Sequence, residues 1–409
     1  MNRVVITGMG TINPIGNNIE TFAKSLFAGV CGIGPITKFD TTDFKVTLAA
    51  EVKDFDPLNY YDSLPEARRA DLFTQYAIAA AMEAVADSNI QGNVQPERFG
   101  VYVGSGIGGM NTFVSETLKL EKRGPSRVSP LFIPMMISNM AAGAISMRFG
   151  AKGPSLPVVT ACATSTNTIG EAFRAIKHGY ADAIIAGGTE STITPLATAG
   201  FDNCKALSQA SDPARASIPF DLERNGFVMG EGATMLVLEE YEHAVSRGAR
   251  IWAEVCGYGN TSDAYHMTAP HPEAEGAVRA ILLAAQEGGI TAGEHLYINA
   301  HGTSTPMNDK TETLAIKKAF GDDAYTTHIS STKSMTGHML GATGATEAAA
   351  CVLALEKQMV PPTIHYQVPD PECDLDCTPN TAVSAPLEAA LSNSLGFGGH
   401  NAVIALKKI

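Results

Sequence analysis

The stretch SLPVVTACATSTNTIGEAFRAI, residues 155–176, decides the fold. A run rich in β-branched residues ends at Cys162, and a segment of helical periodicity that opens with small residues follows at once. This pattern predicts a strand that delivers the chain to a helix, with the thiol at the junction. The N–H groups and macrodipole of a helix start stabilise an anion, so this position is expected to lower the thiol pKa. The alternative is a buried structural cysteine, the usual state of a free Cys.

The rest of the chain alternates short apolar runs bounded by glycine with longer helical segments. In the first half, strands are predicted in RVVITGMG (3–10), FGVYVGSG (99–106), LPVVTAC (156–162), DAIIAGGTE (182–190) and TMLVLEE (234–240). The alternation resumes after residue 250, and residues 328–355 again run from a short strand into a small-residue helix. We therefore predict an α/β protein with layered sheets and helices, in two packed halves of residues 1–251 and 252–409.

Composition excludes several classes of protein. Of 409 residues, 45% are hydrophobic and 17% charged, which favours a large buried core over disorder. The net charge of −13 argues against nucleic-acid binding, which relies on Lys and Arg. No apolar run approaches the ~18 residues of a membrane span, and the first residues lack secretory-signal features, so we expect a cytoplasmic protein with no membrane partner. Seven scattered cysteines predict no disulfides, and Cys373 with Cys377 lacks the second half of a zinc site, so no metal is predicted.

Three further segments carry candidate chemistry. His301 ends the apolar run of LYINAHGTSTP, where a ring nitrogen can donate to a substrate oxygen or, equally, cap the turn. His338 lies in STKSMTGHMLGATGATE, where Lys333 and Glu347 are expected to form a buried pair, a structural role being the alternative. In SNSLGFGGHNAVI, three glycines surround Phe397, which permits an inward-pointing backbone N–H or a plain β-turn. One thiol with two histidines suits chemistry in which a carbonyl holds negative charge after carbon dioxide leaves.

The segment GSGIGG, residues 104–109, matches the glycine pattern of a dinucleotide-binding loop. That fingerprint belongs on the first strand-to-helix turn, with an acidic residue at the end of the next strand. Here it comes after residue 100, and a polar helical segment follows. A nicotinamide-dependent oxidoreductase is therefore a remote alternative.

Four motifs follow one another along the chain: TACATSTNTIG, NAHGTSTPMNDKTE, STKSMTGHMLGATGATEA and NSLGFGGHN. In these motifs the sequence resembles the β-ketoacyl-[acyl-carrier-protein] synthases of the elongating type II, which are condensing enzymes. RASIPFDLERNGFVMGEGA and GSGIGGM are also similar to this family, and the resemblance runs from Met1 to Ile409. It implies the thiolase-like fold, a duplicated α-β-α-β-α layering.

The resemblance also implies a catalytic set. Cys162 accepts an acyl chain as a thioester, and His301 and His338 stabilise the enolate left when malonyl-carrier protein loses carbon dioxide. Backbone N–H groups of Cys162 and Phe397 form the oxyanion hole. Lys333 positions His338, and Glu347 supports it. The product is a 3-oxoacyl-[acyl-carrier protein] in fatty acid elongation.

Substrate contacts and partners are implied in the same way. The resemblance assigns the pantetheine arm to Thr303 and Thr305, the acyl pocket to Ile107, Met135, Met136 and Phe397, and carrier-protein docking to Arg68, Arg69, Arg127 and Lys205. No organic cofactor is required, because the carrier protein supplies the pantetheine arm. The family implies a homodimer whose interface closes the acyl tunnel, and the branched Ile107 indicates long-chain elongation.

Two residues depart from the common family wording: Ser165 stands where Gly is frequent, and His400 where Thr is frequent. A polyketide-type ketosynthase has the same motifs and stays open as the alternative. A degradative thiolase would need a second cysteine in place of one histidine, and residues 301 and 338 are both histidine.

Overall fold

The structure, a computed structural model, describes residues 1–409 and contains thirteen strands and fourteen α-helices. The strands are β1 (Val4–Ile12), β2 (Gly34–Pro35), β3 (Leu48–Ala49), β4 (Phe99–Gly104), β5 (Ala183–Glu190), β6 (Gly232–Glu240), β7 (Ala253–Ser262), β8 (Leu296–Asn299), β9 (His328–Ser330), β10 (Met359–Val360), β11 (Val383–Ser384), β12 (Ala389–Gly396) and β13 (His400–Lys407). The helices are α1 (Ile19–Ala28), α2 (Leu64–Ala67), α3 (Leu72–Ser88), α4 (Met110–Arg123), α5 (Phe132–Met136), α6 (Met140–Phe149), α7 (Thr164–Lys177), α8 (Pro195–Asn203), α9 (Pro213–Ala216), α10 (Tyr241–Ser246), α11 (Glu275–Gly288), α12 (Pro306–Phe320), α13 (Lys333–Thr336) and α14 (Thr343–Lys357). None of these helices combines the length and apolar character that crossing a membrane requires.

Nine strands form one continuous sheet in the order β4-β5-β6-β1-β7-β13-β12-β8-β9. The first half contributes β4-β5-β6-β1, and the second contributes β8-β12-β13-β7 in the matching order, with β9 added outside β8 at the other edge. The pairing directions match as well, since β4 and β5 are parallel, β8 and β12 are parallel, and the inner pairs are antiparallel. This repeat confirms the predicted duplication. We propose that the halves divide between residues 251 and 252, just before β7.

Helices α7 and α14 lie between the two halves, because each packs against strands of both. Helix α3 covers the outer side of β1 and β6, and α11 covers β7 and β13. The two halves of the sheet thus lie on either side of α7 and α14, with α3 and α11 outside them, which is the predicted α-β-α-β-α layering.

A G-x-G pattern in β1 and again in β7 brings the outer helices close to the sheet. A Cβ on Gly10 would lie 2.1 Å from the carbonyl oxygen of Ala80 in α3, and one on Gly259 would lie 1.9 Å from that of Ala280 in α11. Only glycine permits these two approaches.

One predicted strand is wrong. Residues 156–162 lie beside β4 as an extended segment, where Ser155 bridges Val101 and the Leu156 N–H donates to the Val101 carbonyl at 3.1 Å. Pro157 has no N–H to continue the ladder, and the chain then turns into a 3-10 turn at Ala161–Ala163. The apolar side chains here reflect an exposed sheet edge, since Leu156 is 43% exposed.

Candidate active site

Cys162 and His338 both lie in the segments that lead into the two central helices, and these segments have corresponding 3-10 turns at Ala161–Ala163 and Leu340–Ala342. Cys162 lies in the 3-10 turn that leads into α7, and the preceding Ala161 has a φ of 50°. His338 comes shortly before α14, and Leu340 between them has a φ of 49°. A left-handed backbone at a non-glycine residue is strained, and such residues concentrate at functional sites. The duplication therefore brings the starts of α7 and α14 together.

Burial dominates the environment of the Cys162 thiol, which is 9% exposed. It raises the thiol pKa to about 11, although the backbone N–H groups of Phe397 and Cys162 and the charge of Lys333 pull the pKa down. The expected lowering of the pKa is therefore wrong. Both N–H groups of the predicted oxyanion hole lie next to the sulfur.

The two histidine rings are buried and meet edge to face. His301 and His338 are each 2% exposed, and their ring centroids are 5.4 Å apart at an interplanar angle of 88°. Burial lowers the pKa of both imidazoles well below the ordinary value, and the positive charge of Lys333 lowers it further. Both rings are therefore neutral near pH 7.

Hydrogen bonds hold the ring of His338 and the backbone of His301. The Leu340 N–H donates to Nδ1 of His338 at 3.3 Å, and Thr343 Oγ1 lies 3.0 Å from the same nitrogen. Because Nδ1 accepts, the single proton of the neutral ring is on Nε2. Glu312 of α12 accepts from the backbone N–H of His301 at 2.7 Å and of Gly302 at 2.8 Å.

Lys333 and Glu347 form the predicted buried ion pair. Each side chain is 1% exposed, and Nζ of Lys333 contacts Oε1 of Glu347 directly. Burial raises the pKa of Glu347, while the charge of Lys333 opposes the rise. A buried lysine of this kind keeps a positive field beside both histidines.

These groups open onto one cavity of about 360 Å³, which is lined by Cys162, His301, His338 and Phe397. Thr303 and Thr305 form part of its wall, and their hydroxyl oxygens are 2.9 Å apart. The structure thus brings the predicted thiol, histidines, Phe397 and threonines into one space.

Sequence reasoning missed three side chains that support this site: Glu312, Thr343 and Phe227. Phe227 lines the cavity and packs edge-on against His338, with ring centroids 5.1 Å apart. All three stand in quoted family segments, which were the available signal: Phe227 in RASIPFDLERNGFVMGEGA, Glu312 in NAHGTSTPMNDKTE and Thr343 in STKSMTGHMLGATGATEA. Glu312 lies in α12 and accepts from the backbone of the loop that precedes this helix, a role that residue type alone does not reveal.

The predicted acyl-pocket residues Ile107, Met135 and Met136 do not line this cavity. The loop that carries Ile107 contacts the segment of Met135 and Met136, because the Gly109 N–H donates to the Met136 carbonyl at 2.9 Å. The four predicted docking residues are exposed and form no ion pair, and Lys205 alone reaches the cavity. These residues are Arg68, Arg69, Arg127 and Lys205.

The GSGIGG loop does not offer a phosphate site. Glu190, at the end of β5, accepts from the backbone N–H groups of Gly106 at 2.8 Å and Ile107 at 3.2 Å, and from the Ser105 hydroxyl at 2.8 Å. Its carboxylate thus occupies the donors that a pyrophosphate needs. The structure also holds no group of three or more His, Cys, Asp or Glu side chains that could bind a metal ion.

Comparison with known proteins agrees with this arrangement. A family model described as β-ketoacyl synthase, N-terminal domain, matches residues 1–244, and one described as β-ketoacyl synthase, C-terminal domain, matches residues 252–367. The chain is 54% identical over 407 residues to 3-oxoacyl-[acyl-carrier-protein] synthase 2 of Staphylococcus aureus (strain COL), covering 99% of this chain and 98% of the relative. It is 51% identical over 408 residues to the protein of the same name from a Synechocystis species, with the same coverage.

Solved structures show the same fold over the whole chain. A type II polyketide synthase ketosynthase, solved in complex with its acyl-carrier protein, superposes with a TM-score of 0.92 at 34% identity, covering 100% of this chain and 99% of that one. A β-ketoacyl synthase from Burkholderia phymatum superposes with a TM-score of 0.91 at 33% identity and covers 100% of both chains. The chain therefore belongs to the β-ketoacyl synthase family.

Proposed function

We propose that this protein catalyses the decarboxylative condensation of an acyl chain, held as a thioester on Cys162, with malonyl-[acyl-carrier protein]. The product is a 3-oxoacyl-[acyl-carrier protein], and the pathway is fatty acid chain elongation. One observation carries the proposal: a single cavity joins a thiol, two backbone N–H donors and two neutral imidazoles. Relatives at 51–54% identity over almost the whole chain carry the corresponding name.

The first half-reaction is acyl transfer to Cys162. The thiol sulfur forms a bond to the acyl carbon, the carrier's carbon–sulfur bond breaks, and the thiol proton goes to the departing carrier thiolate. Charge develops on the carbonyl oxygen in the tetrahedral intermediate, where the N–H groups of Cys162 and Phe397 stabilise it. No separate base beside the thiol is needed for this balance.

The second half-reaction is decarboxylation and carbon–carbon bond formation. The malonyl thioester loses carbon dioxide, and the electron pair moves onto the thioester oxygen as an enolate. His338 meets that oxygen with its Nε2–H, and His301 is the second donor. The enolate carbon then attacks the acyl carbonyl, and the bond to Cys162 breaks to leave a thiolate, which takes a proton from water to restore the thiol. Lys333 positions His338 and supplies a positive field, with Glu347 as its support.

The threonine hydroxyls fit the amide-bearing arm of the carrier. Thr305 Oγ1 accepts from the Asn308 N–H at 3.4 Å and lies 2.9 Å from Thr303 Oγ1, so one hydroxyl proton of the pair is free for a ligand oxygen. The exposed, unpaired Arg68, Arg69, Arg127 and Lys205 form the docking surface for an acidic carrier. The arm belongs to the carrier, so the enzyme needs no cofactor of its own, and its location is cytoplasmic.

We further propose a homodimer that closes the acyl pocket. Ile107 is 36% exposed, and Leu156 and Val159 on the neighbouring sheet edge are 43% and 50% exposed. Exposed apolar side chains along a free sheet edge favour association with a second copy. Ile107, Met135 and Met136 would then line the acyl pocket at that interface.

The polyketide alternative is not favoured. The chain is 51–54% identical to relatives named 3-oxoacyl-[acyl-carrier-protein] synthase 2 but 34% identical to the polyketide ketosynthase. The similar TM-scores follow from a shared fold and do not distinguish the two pathways.

Product analysis tests the proposal. The native protein is incubated with acyl-carrier protein and malonyl-carrier protein, and the carrier species are identified by mass spectrometry. We expect a 3-oxoacyl-carrier protein two carbons longer and one carbon dioxide per product, both absent with Cys162→Ala. No product from the folded native protein, or a nicotinamide-dependent rise in melting temperature, would contradict the proposal.

A further inference from the structure

The mechanism so far assigns no task to residues 215–226, although they belong to a quoted family segment. These residues pack against Gly302–Pro306, which we call the threonine turn because it carries Thr303 and Thr305. Ser304 at its centre has a φ of 68°. This strained backbone persists only if its surroundings hold it.

Three hydrogen bonds hold Ser304. Its Oγ accepts from the Ile218 N–H at 2.9 Å, and its carbonyl accepts from the Gly226 N–H at 3.0 Å. Its own N–H donates to Asp309 Oδ2 at 3.2 Å. The segment therefore clamps the middle of the threonine turn.

Arg224 holds the end of the same turn. Its Nη2 donates to the Pro306 carbonyl at 3.0 Å, and its Nε donates to the Thr305 carbonyl at 3.3 Å. The guanidinium contacts Asp370 directly and lies 3.7 Å from Asp309. Its side chain is 4% exposed. A buried arginine is costly unless it is paired, and the two carboxylates supply the pairing.

The two ends of the turn have separate anchors. Glu312 holds the backbone of His301 and Gly302, whereas Arg224 holds the carbonyls of Thr305 and Pro306. The group that stabilises the enolate and the groups that bind the arm are therefore fixed by different side chains. A change at Arg224 acts on the arm-binding end first.

We propose that Arg224 is a positioning residue for substrate binding, which holds the hydroxyls of Thr303 and Thr305 where they bind the amides of a pantetheine thioester. This inference rests on the proposed function. It predicts that the side chain acts through the threonines, on substrates that carry amides.

The test compares two thiol carriers for one acyl group. Arg224→Lys keeps the charge but loses the planar fork that reaches two carbonyls. Kinetic constants for acylation of Cys162 are measured with the acyl thioester of pantetheine and with that of 2-mercaptoethanesulfonate, which has no amide. We expect KM for the pantetheine thioester to rise about tenfold, because the two hydrogen bonds from Arg224 to the Thr305 and Pro306 carbonyls are weakened. KM for the amide-free thioester should stay within about twofold of the native value.

Arg215→Lys is the matched control. Arg215 lies at the start of the same segment and binds Asp221, Glu223 and the His365 carbonyl, without contacting the threonine turn. We expect no preference between the two thioesters in this variant. If Arg224→Lys does not fold, Asp370→Asn carries the test, because it releases Arg224 from its direct carboxylate partner.

A double-mutant cycle separates positioning from general damage. In a Thr303→Val, Thr305→Val background, Arg224→Lys should leave the KM for the pantetheine thioester unchanged. Equal loss with both thioesters, no loss with either, or a full further loss in the valine background would overturn the inference. A native protein that is acylated by neither thioester nor by an acyl-carrier protein would instead overturn the proposed function.

Discussion

Replacing Glu312 by Gln isolates the positioning of His301 from the rest of the site. Glu312 is fully buried, and its carboxylate accepts from the His301 N–H, the Gly302 N–H and Nδ2 of Asn393 at 3.1 Å. A carboxamide has one acceptor oxygen, and its NH₂ group must face one of these donors. The variant therefore loses at least one charge-assisted hydrogen bond, at a cost of about 1.5–3 kcal/mol.

The lost hydrogen bond loosens the backbone that places the His301 ring in the cavity. Misplacing a catalytic group by about 1 Å can reduce the rate about 100-fold. We therefore expect malonyl-carrier protein decarboxylation by Glu312→Gln to fall between about 10-fold and 100-fold. Acylation of Cys162 should stay within about threefold, because its N–H donors come from Phe397 and Cys162.

Both half-reactions can be measured separately. Release of carbon dioxide reports decarboxylation, and intact-protein mass reports acylation. In a His301→Ala background, Glu312→Gln should cause no further loss of decarboxylation. Equal losses in both half-reactions, or a further loss without the histidine, would refute the reasoning.

Three other predictions follow from burial and exposure. Because the folded-state pKa values of His301 and His338 lie below the ordinary value of about 6.5, the unfolded chain takes up protons first as pH falls. The free energy of unfolding should therefore fall below about pH 6.5. Urea unfolding of a His301→Gln, His338→Gln variant should show a flatter decline with pH, and an equal decline in the variant would contradict this. With a thiol pKa of about 11, alkylation of Cys162 by iodoacetamide should accelerate about tenfold per pH unit between pH 7 and 9, and a plateau below pH 8 would contradict this. Leu156→Asp with Val159→Asp should weaken dimerisation at least about tenfold by sedimentation analysis, whereas an unchanged dimer would show that this edge is not the interface.

Local patterns were sufficient to predict the layering, because the elements are long or strongly periodic. The apolar runs of β1, β5 and β6 and the helical segment of α7 all occur where the pattern indicated them. The run before Cys162 was wrongly predicted as a strand, because a β-branched composition does not distinguish a paired strand from an exposed edge that Pro157 interrupts.

The candidate site was only partly visible in the sequence. Cys162 and His301 could be named because each ends an apolar segment and is followed by small residues, and His338 because it lies in a glycine-rich segment with Lys333. The sign of the Cys162 pKa shift could not be predicted, because it depends on burial by distant segments. The assignment of Ile107, Met135 and Met136 to the acyl pocket stays a prediction, because these residues do not line the cavity of the single chain.

Acylation of Cys162 is the central claim, and intact-protein mass tests it most directly. The native protein and Cys162→Ala are each incubated with a long-chain acyl-carrier protein and then weighed. A single acyl adduct on the native protein, with none on the folded variant, is the predicted result. An adduct on both proteins, or on neither, would contradict the assignment of Cys162 as the acyl acceptor.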